Sequence, residues 1–241
     1  MAKGEQITYR AGTTDLIGWA VEGSGPMPRP GVLVVHEWWG LNDYIRGRAE
    51  QLGDLGYEAL AVDMYGAGQT GSSPDEANAL MSAALGDVPA LEARFEAALD
   101  ALKARPGVDG SKIAAIGYCF GGAVVLHAAR IGLPLAGVAS FHGSLGSFHT
   151  PAPGSVKAKI LVCHGAADAL VPEADVEAFK AEMDAAKADY QFEAYPGALH
   201  GFSNPDATAN GERYGMPLAY DADADAKSWA EMKSFFQKIF A

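Results

Sequence analysis

The segment Gly117-Tyr118-Cys119-Phe120-Gly121-Gly122 constrains this chain more than any other, because it sets small residues around a cysteine between two regular elements. Upstream, Lys112-Ile113-Ala114-Ala115-Ile116 is short, apolar and partly β-branched, the composition of a buried strand. Downstream, Ala123-Val124-Val125-Leu126-His127-Ala128-Ala129 is long enough for an inward-facing helix. A strand that turns straight into a helix brings the backbone close to itself around the middle residue. Gly117 and Gly121, two positions either side of Cys119, relieve that crowding because they lack a Cβ and tolerate unusual φ/ψ. The pattern is G-x-C-x-G, a nucleophile elbow with sulfur in place of the commoner serine oxygen. Its sulfur is expected above the sheet at a helix N-terminus, where the partial positive charge of the first-turn amides favours thiolate over thiol.

Strand and helix alternate around this turn. Ile7–Arg10 and Leu16–Val21 flank a turn-like Ala11–Asp15 and predict an opening hairpin. Gly23–Gly31 carries three prolines and reads as a loop, while Val32–Val35 is a continuous apolar run of the kind buried on both faces of a parallel sheet. Helices are predicted at Tyr44–Leu55, Asp75–Leu85, Leu91–Ala104, Glu173–Ala186 and Ala226–Phe240, with Asp87-Val88-Pro89 breaking the second from the third. Further strands are predicted at Ala59–Val62, Leu135–Phe141, Ile160–Cys163 and Tyr190–Tyr195. This alternation predicts an α/β fold, its mostly parallel sheet covered by helices on both faces. No internal repeat or long linker interrupts it, so residues 1–241 are expected to form a single domain. Gly197–Tyr220 exceeds the usual loop length, which marks it as a functional segment.

With 49 % hydrophobic residues among 241, the chain can bury a full core, and its 20 % charged share gives no sign of disorder. A net charge of −12 repels phosphate backbones and anionic lipid, so neither nucleic acid nor a membrane is expected as a partner. The two cysteines cannot build a disulfide framework, Met1–Arg10 lacks the apolar stretch of a secretory signal, and no apolar run approaches membrane-spanning length. These features lead us to expect a cytoplasmic protein, as a monomer or small homo-oligomer.

A reactive cysteine needs a base for its proton and a group that orients the base. Open α/β sheets present such groups at the C-terminal ends of strands. Asp168 follows the strand ending at Cys163, and His200 follows the strand ending at Tyr195. Cys119, Asp168 and His200 therefore fall just past strand ends in the order nucleophile, acid, histidine. A turn or capping aspartate and a surface-loop histidine are the plainer readings of the last two. His127 reads as packed within the elbow helix, His164 as opening a turn and bonding to backbone, and His149 as an ordinary loop residue. No metal-ligand spacing is present, so no metal or organic cofactor is expected.

Five blocks go further: His36-Glu37-Trp38-Trp39-Gly40, Asp63-Met64-Tyr65-Gly66, Gly117 to Gly122, His164-Gly165 with Asp168, and Pro196-Gly197 followed by His200-Gly201-Phe202. In this order and spacing they resemble the dienelactone hydrolase family of the α/β-hydrolase fold, over essentially the whole chain. The resemblance implies that Cys119, Asp168 and His200 form a catalytic triad. It implies that Glu37 accepts the thiol proton when substrate binds, so that the oxidation-prone thiolate forms only on demand. By analogy, the backbone N–H groups of Phe120 and Trp38 would form the oxyanion hole. The implied reaction is hydrolysis of a small-molecule ester or lactone through a thioester acyl-enzyme.

The chain departs from the family where substrate is held. Members acting on the chlorocatechol-pathway lactone grip its carboxylate with arginines, one shortly after the catalytic histidine. Here His200 is followed by Gly201-Phe202-Ser203-Asn204-Pro205, and the stretch from Ser72 to Val88 has no arginine either. Arg213, later in the same segment, is the residue that could reach back, and a bidentate guanidinium is not easily replaced. Trp38, Trp39, Tyr65 and Phe202 point to an aromatic-walled pocket, with His142 past a strand end lining it; the plainer reading is core packing. A neutral aryl or alkyl ester, or another lactone, fits these residues better than dienelactone. Two further classes stay open: a non-hydrolytic thiol protein that binds electrophiles through Cys119, and an amide or peptide hydrolase on the same fold.

Overall fold

A computed structural model describes residues 2–241, which divide into two compact units, one running to Ile116 and the other from Gly117 to Ala241. The first contains β1 (Gly4–Ala11), β2 (Thr14–Val21), β3 (Arg29–Val35), β4 (Glu58–Val62) and most of β5 (Val108–Tyr118), with α1 (Asp43–Asp54), α2 (Pro74–Leu85) and α3 (Val88–Lys103) interspersed. Its strands lie in the order β1-β2-β4-β3-β5. β1 and β2 form the expected antiparallel hairpin, closed by Gly12-Thr13 with Gly12 at φ +58°, a left-handed position that suits a two-residue hairpin turn. β2 runs antiparallel to β4, and β4 parallel to β3. Every β4 residue is buried, Glu58 included, and its carboxylate is met by the buried Arg29 guanidinium. A buried carboxylate without such a partner would be strongly destabilising.

The helix boundaries follow from capping. Asn42, Ser73 and Asp87 accept from the backbone N–H groups of Ile45, Glu76 and Ala90, and a proline stands in the first turn of both α2 and α3. β3 begins at Arg29, earlier than the prolines led us to expect. Arg29 N–H donates to the Gly107 carbonyl at 2.8 Å, and Pro30, which has no N–H to offer, is tolerated at the strand's start.

The second unit contains α4 (Phe120–Arg130), β6 (Gly137–Phe141), β7 (Lys159–Gly165), α5 (Glu173–Ala186), β8 (Tyr190–Tyr195), α6 (Ala207–Tyr214) and α7 (Ala222–Ile239). β6, β7 and β8 are parallel neighbours in register, Phe141 beside Cys163 and Gly165 beside Tyr195. Every α4 residue is buried. Its last, Arg130, is satisfied by the Glu182 carboxylate at 2.7 and 3.1 Å and by the Leu145 carbonyl at 2.9 Å.

The segment from Gly197 to Tyr220 is not all loop, since it contains α6. Gly211 lets that helix sit against its own return: a Cβ there would run into the Leu218 carbonyl and lie 3.0 Å from that of Met216. Gly215, left-handed at φ +65°, ends the helix. No helix among the described residues is long and apolar enough to cross a membrane.

Candidate active site

The turn between β5 and α4 has the conformation its glycines predict. Cys119 adopts φ +53° and ψ −114°, a region that costs a non-glycine residue about 1–3 kcal/mol. The surroundings hold it there. A Cβ on Gly117 would overlap the Gly121 carbonyl group, and one on Gly122 would come within 2.5 Å of Ser140 Oγ and 2.7 Å of Gly143 Cα. Cys119 N–H donates to the Phe141 carbonyl at 3.0 Å, and the Cys119 carbonyl accepts from Ala123 at 3.3 Å. The side chain makes no capping bond to α4, so the partly exposed sulfur is directed elsewhere.

Asp168 and His200 meet because the turns after β7 and β8 are laced together. Ala166 N–H donates to Tyr195 at 2.9 Å and Ala167 N–H to Ala198 at 3.0 Å. Gly165 permits the approach, since a Cβ there would lie 2.5 Å from the Ala198 carbonyl oxygen. Asp168 Oδ1 accepts from Leu170 N–H at 2.8 Å, which leaves Oδ2 facing His200 Nδ1 at 2.8 Å. Both residues are buried.

His200 also hydrogen-bonds the Cys119 side chain. Burial alone pushes the imidazolium pKa down. Coulombic attraction to Cys119 opposes this, helped by the hydrogen bonds to Asp168 and Cys119 and by the Asp168 charge, and His200 is raised to about 10. The loop carrying His200 is strapped from outside: Ala219 N–H donates to the His200 carbonyl at 3.2 Å, and Asp221 N–H to that of Phe202 at 2.9 Å.

Other residues singled out from sequence have distinct surroundings. His142 is fully buried at φ +40°, its ring 5.3 Å from that of His200. Phe202 is also fully buried, its ring packed between His142 at 5.2 Å and Tyr195 at 5.4 Å. Arg213 lies exposed on α6, its guanidinium over the Tyr214 ring. His127 is packed, as read from the sequence, with its ring edge-on to Phe148 at 5.8 Å. His164 does not open a turn: it is the buried penultimate residue of β7, and its Nδ1 has no hydrogen-bond partner.

Glu37, Trp38, Trp39 and Tyr65 belong to the first unit. Glu37 is buried, Trp38 and Trp39 half-buried with rings 4.9 Å apart, and Tyr65 Oη donates to the Trp38 carbonyl at 2.8 Å. The Asp63 carboxylate accepts from the backbone N–H groups of Ile17, Tyr65, Gly66 and Gly68 at 2.7 to 3.0 Å, which fixes the loop bearing Tyr65. His36 is a residue that sequence reasoning left without a role. Burial lowers its pKa to about 4, so it is neutral; Nε2 accepts from Met64 N–H at 3.2 Å, and Nδ1–H is therefore the donor to the Glu37 carbonyl. Among the described residues, no group of three or more His, Cys, Asp or Glu side chains is arranged to hold a metal ion.

Parallel strands, an antiparallel opening hairpin, and a cysteine elbow followed by strand-end aspartate and histidine define the α/β-hydrolase fold. Within it the chain belongs to the dienelactone hydrolase family, whose profile matches residues 17–240. A dienelactone hydrolase-like promiscuous phosphotriesterase from metagenomic libraries is 39 % identical, with a TM-score of 0.90 over 99 % of this chain and 98 % of its own. A Synechocystis protein assigned as a carboxymethylenebutenolidase is 27 % identical over 96 % of this chain and 95 % of its own. Esterase 2 of Thermogutta terrifontis, at 19 % identity, shares the fold with a TM-score of 0.63 over 98 % of this chain and 94 % of its own.

Proposed function

We propose that this protein hydrolyses carboxylic esters or lactones with Cys119 as nucleophile. The observation that carries the reading is the imidazole of His200 hydrogen-bonded at once to Asp168 Oδ2, at 2.8 Å, and to the Cys119 side chain. In the proposed cycle the Cys119 thiolate adds to the carbonyl carbon, and the C=O π pair moves onto oxygen. The Phe120 N–H receives that charge, because the Cys119 N–H is already given to Phe141. By family likeness the Trp38 N–H is the second donor.

Collapse of the tetrahedral adduct expels the alkoxide, which takes the proton from the His200 imidazolium and leaves a thioester on Cys119. Neutral His200 then takes a proton from water as its oxygen adds to the thioester. The second collapse returns the thiolate and releases the acid. Asp168 keeps Nδ1 protonated and Nε2 turned to the reaction. Two groups compete for the resting thiol proton: the hydrogen bond to Cys119 offers His200, and family likeness assigns Glu37.

The absence of arginine from 201–205, the exposed setting of Arg213 and the net charge of −12 all favour neutral substrates over anionic ones. The likeness to a promiscuous phosphotriesterase supports a second reading, in which neutral phosphotriesters are also attacked by the same sulfur. The test is turnover of p-nitrophenyl esters, simple lactones, cis-dienelactone, a matched anilide and diethyl p-nitrophenyl phosphate by the parent and by Cys119→Ala. The reading expects ester or lactone turnover that vanishes in Cys119→Ala. Retained turnover would refute the nucleophile, and anilide hydrolysis matching the ester would favour an amidase. Covalent labelling of Cys119 with no turnover, unchanged by loss of His200, would favour an electrophile-binding protein.

A further inference from the structure

His142 is a buried imidazole that the cycle above leaves without a task, and four ties converge on it. Its N–H donates to the Cys163 carbonyl at 2.8 Å, pinning it between the ends of β6 and β7. The residue before it, Phe141, supplies the carbonyl that holds the Cys119 N–H. Its ring lies edge-on to His200, centroids 5.3 Å apart and planes at 67°, and edge-on to Phe202 at 5.2 Å and 82°. Its Nε2 is 2.8 Å from Ser203 Oγ, both groups fully buried. Ser203 sits inside the turn that follows the catalytic histidine, where Asn204 N–H closes on the Gly201 carbonyl at 2.9 Å. The titratable Tyr118 is a further neighbour of the ring, its centroid 6.0 Å away.

The backbone angle gives this cluster its meaning. A left-handed φ of +40° is uncommon for a residue that carries a Cβ, although histidine, like asparagine, adopts it more readily than most. What sets His142 apart from the other non-glycine residues at positive φ is its surroundings, a ring edge-on to both His200 and Phe202, and backbone strain of this kind collects at working sites. The ring touches the imidazole that must serve the thiolate, then the leaving alkoxide, then water, with little room for angular error.

We propose that His142 is a positioning residue for His200. Its ring edge sets the plane of the catalytic imidazole, and its bond to Ser203 holds the following turn so that Asp168 Oδ2 and the Cys119 sulfur are reached together. This rests on the reading of Cys119 and His200 as a working pair.

The test compares Ser203→Ala, which cuts the bond and leaves the ring, with His142→Asn, which removes the ring and tolerates positive φ. Each is measured for kcat and KM on a p-nitrophenyl ester, and for the pH profile of Cys119 alkylation by iodoacetamide. Cys163 is fully buried, so native alkylation reports Cys119. The expected result is a kcat lower by about tenfold in either variant, with KM within twofold and the alkylation profile displaced from the parent's. Ser203→Ala keeps the test decisive if His142→Asn fails to fold. Folded variants with the parent's kcat and profile would overturn the proposal. So would a kcat loss that tracks thermal stability while the profile stays put, which would leave His142 a packing residue. His200→Ala separates the two layers: a profile unchanged in that variant brings down the Cys119–His200 pairing itself, and the proposal with it.

Discussion

Gly117→Ala is the substitution on which the elbow's geometry makes its sharpest demand. The added methyl would overlap the Gly121 carbonyl group. The obstructing atoms are backbone, so no rotamer change can clear them. Relief requires the end of β5 or the first turn of α4 to move, and α4 is buried along its whole length. Inserting a methylene into a packed core costs about 1–3 kcal/mol when side chains can yield. With backbone on both sides the upper end applies, about 3 kcal/mol, and for a chain of this size that lowers Tm by roughly 6–12 °C. A shift of about 1 Å in the sulfur costs on the order of a hundredfold in kcat.

Gly47→Ala is the matched control. Gly47 stands within α1 with nothing inside 4 Å of its Cβ position, so the same change there stabilises by about 0.5–1 kcal/mol. Calorimetric Tm and ester turnover on the parent and both variants decide the matter. A Gly117→Ala protein that melts and turns over like the parent would refute the account of why this turn holds a cysteine at positive φ.

Asp168→Asn preserves shape but offers an amide N–H to His200 Nδ1, so the wrong tautomer is stabilised and kcat should fall by roughly 10³–10⁴ with Tm little changed; a loss under tenfold would count against the orienting role. His200 is raised from 6.5 to about 10, so the stabilisation from its protonated form is complete below 6.5 and lost as pH climbs through about 10. NMR titration of labelled histidine should find that high value in the parent and a large downward move in Cys119→Ala, which removes the sulfur charge; titration near 10 in the variant would sink the ion-pair picture. Glu37→Gln, if family likeness assigns the thiol proton correctly, slows the burst of acylation more than steady-state deacylation, and a purely deacylation defect would assign that proton to His200.

What could be read from sequence was whatever local residue chemistry encodes. Gly117 and Gly121 announce the elbow because backbone crowding has only one inexpensive solution. Asp168 and His200 stood out because each lies five residues after the last residue of an expected strand, Cys163 and Tyr195, and the structure brings both side chains together with Cys119. The α6 helix was not, since Ala207-Thr208-Ala209-Asn210-Gly211 has weak helix propensity and buries only Ala207 and Gly211; Gly215 at its end was the available signal. The start of β3 hid among prolines. His164 was expected in a turn rather than in the strand, which runs two residues past Cys163, because an apolar run cannot show that a strand continues through a polar residue. The contacts of His142 with Ser203 and Phe202 join positions about sixty apart, and no local pattern records them.

The strap over the histidine loop bears on how the protein is made. Synthesis runs from N- to C-terminus, so Cys119 leaves the ribosome well before Ala219 and Asp221, the residues whose amides fasten His200 and Phe202. During that interval the growing polypeptide carries the elbow while the His200 loop is not yet anchored. The His200 loop is thus fastened only after residues 219 and 221 have emerged, and nascent chains arrested before Ala219 should carry the Cys119 elbow without these two ties on His200 and Phe202.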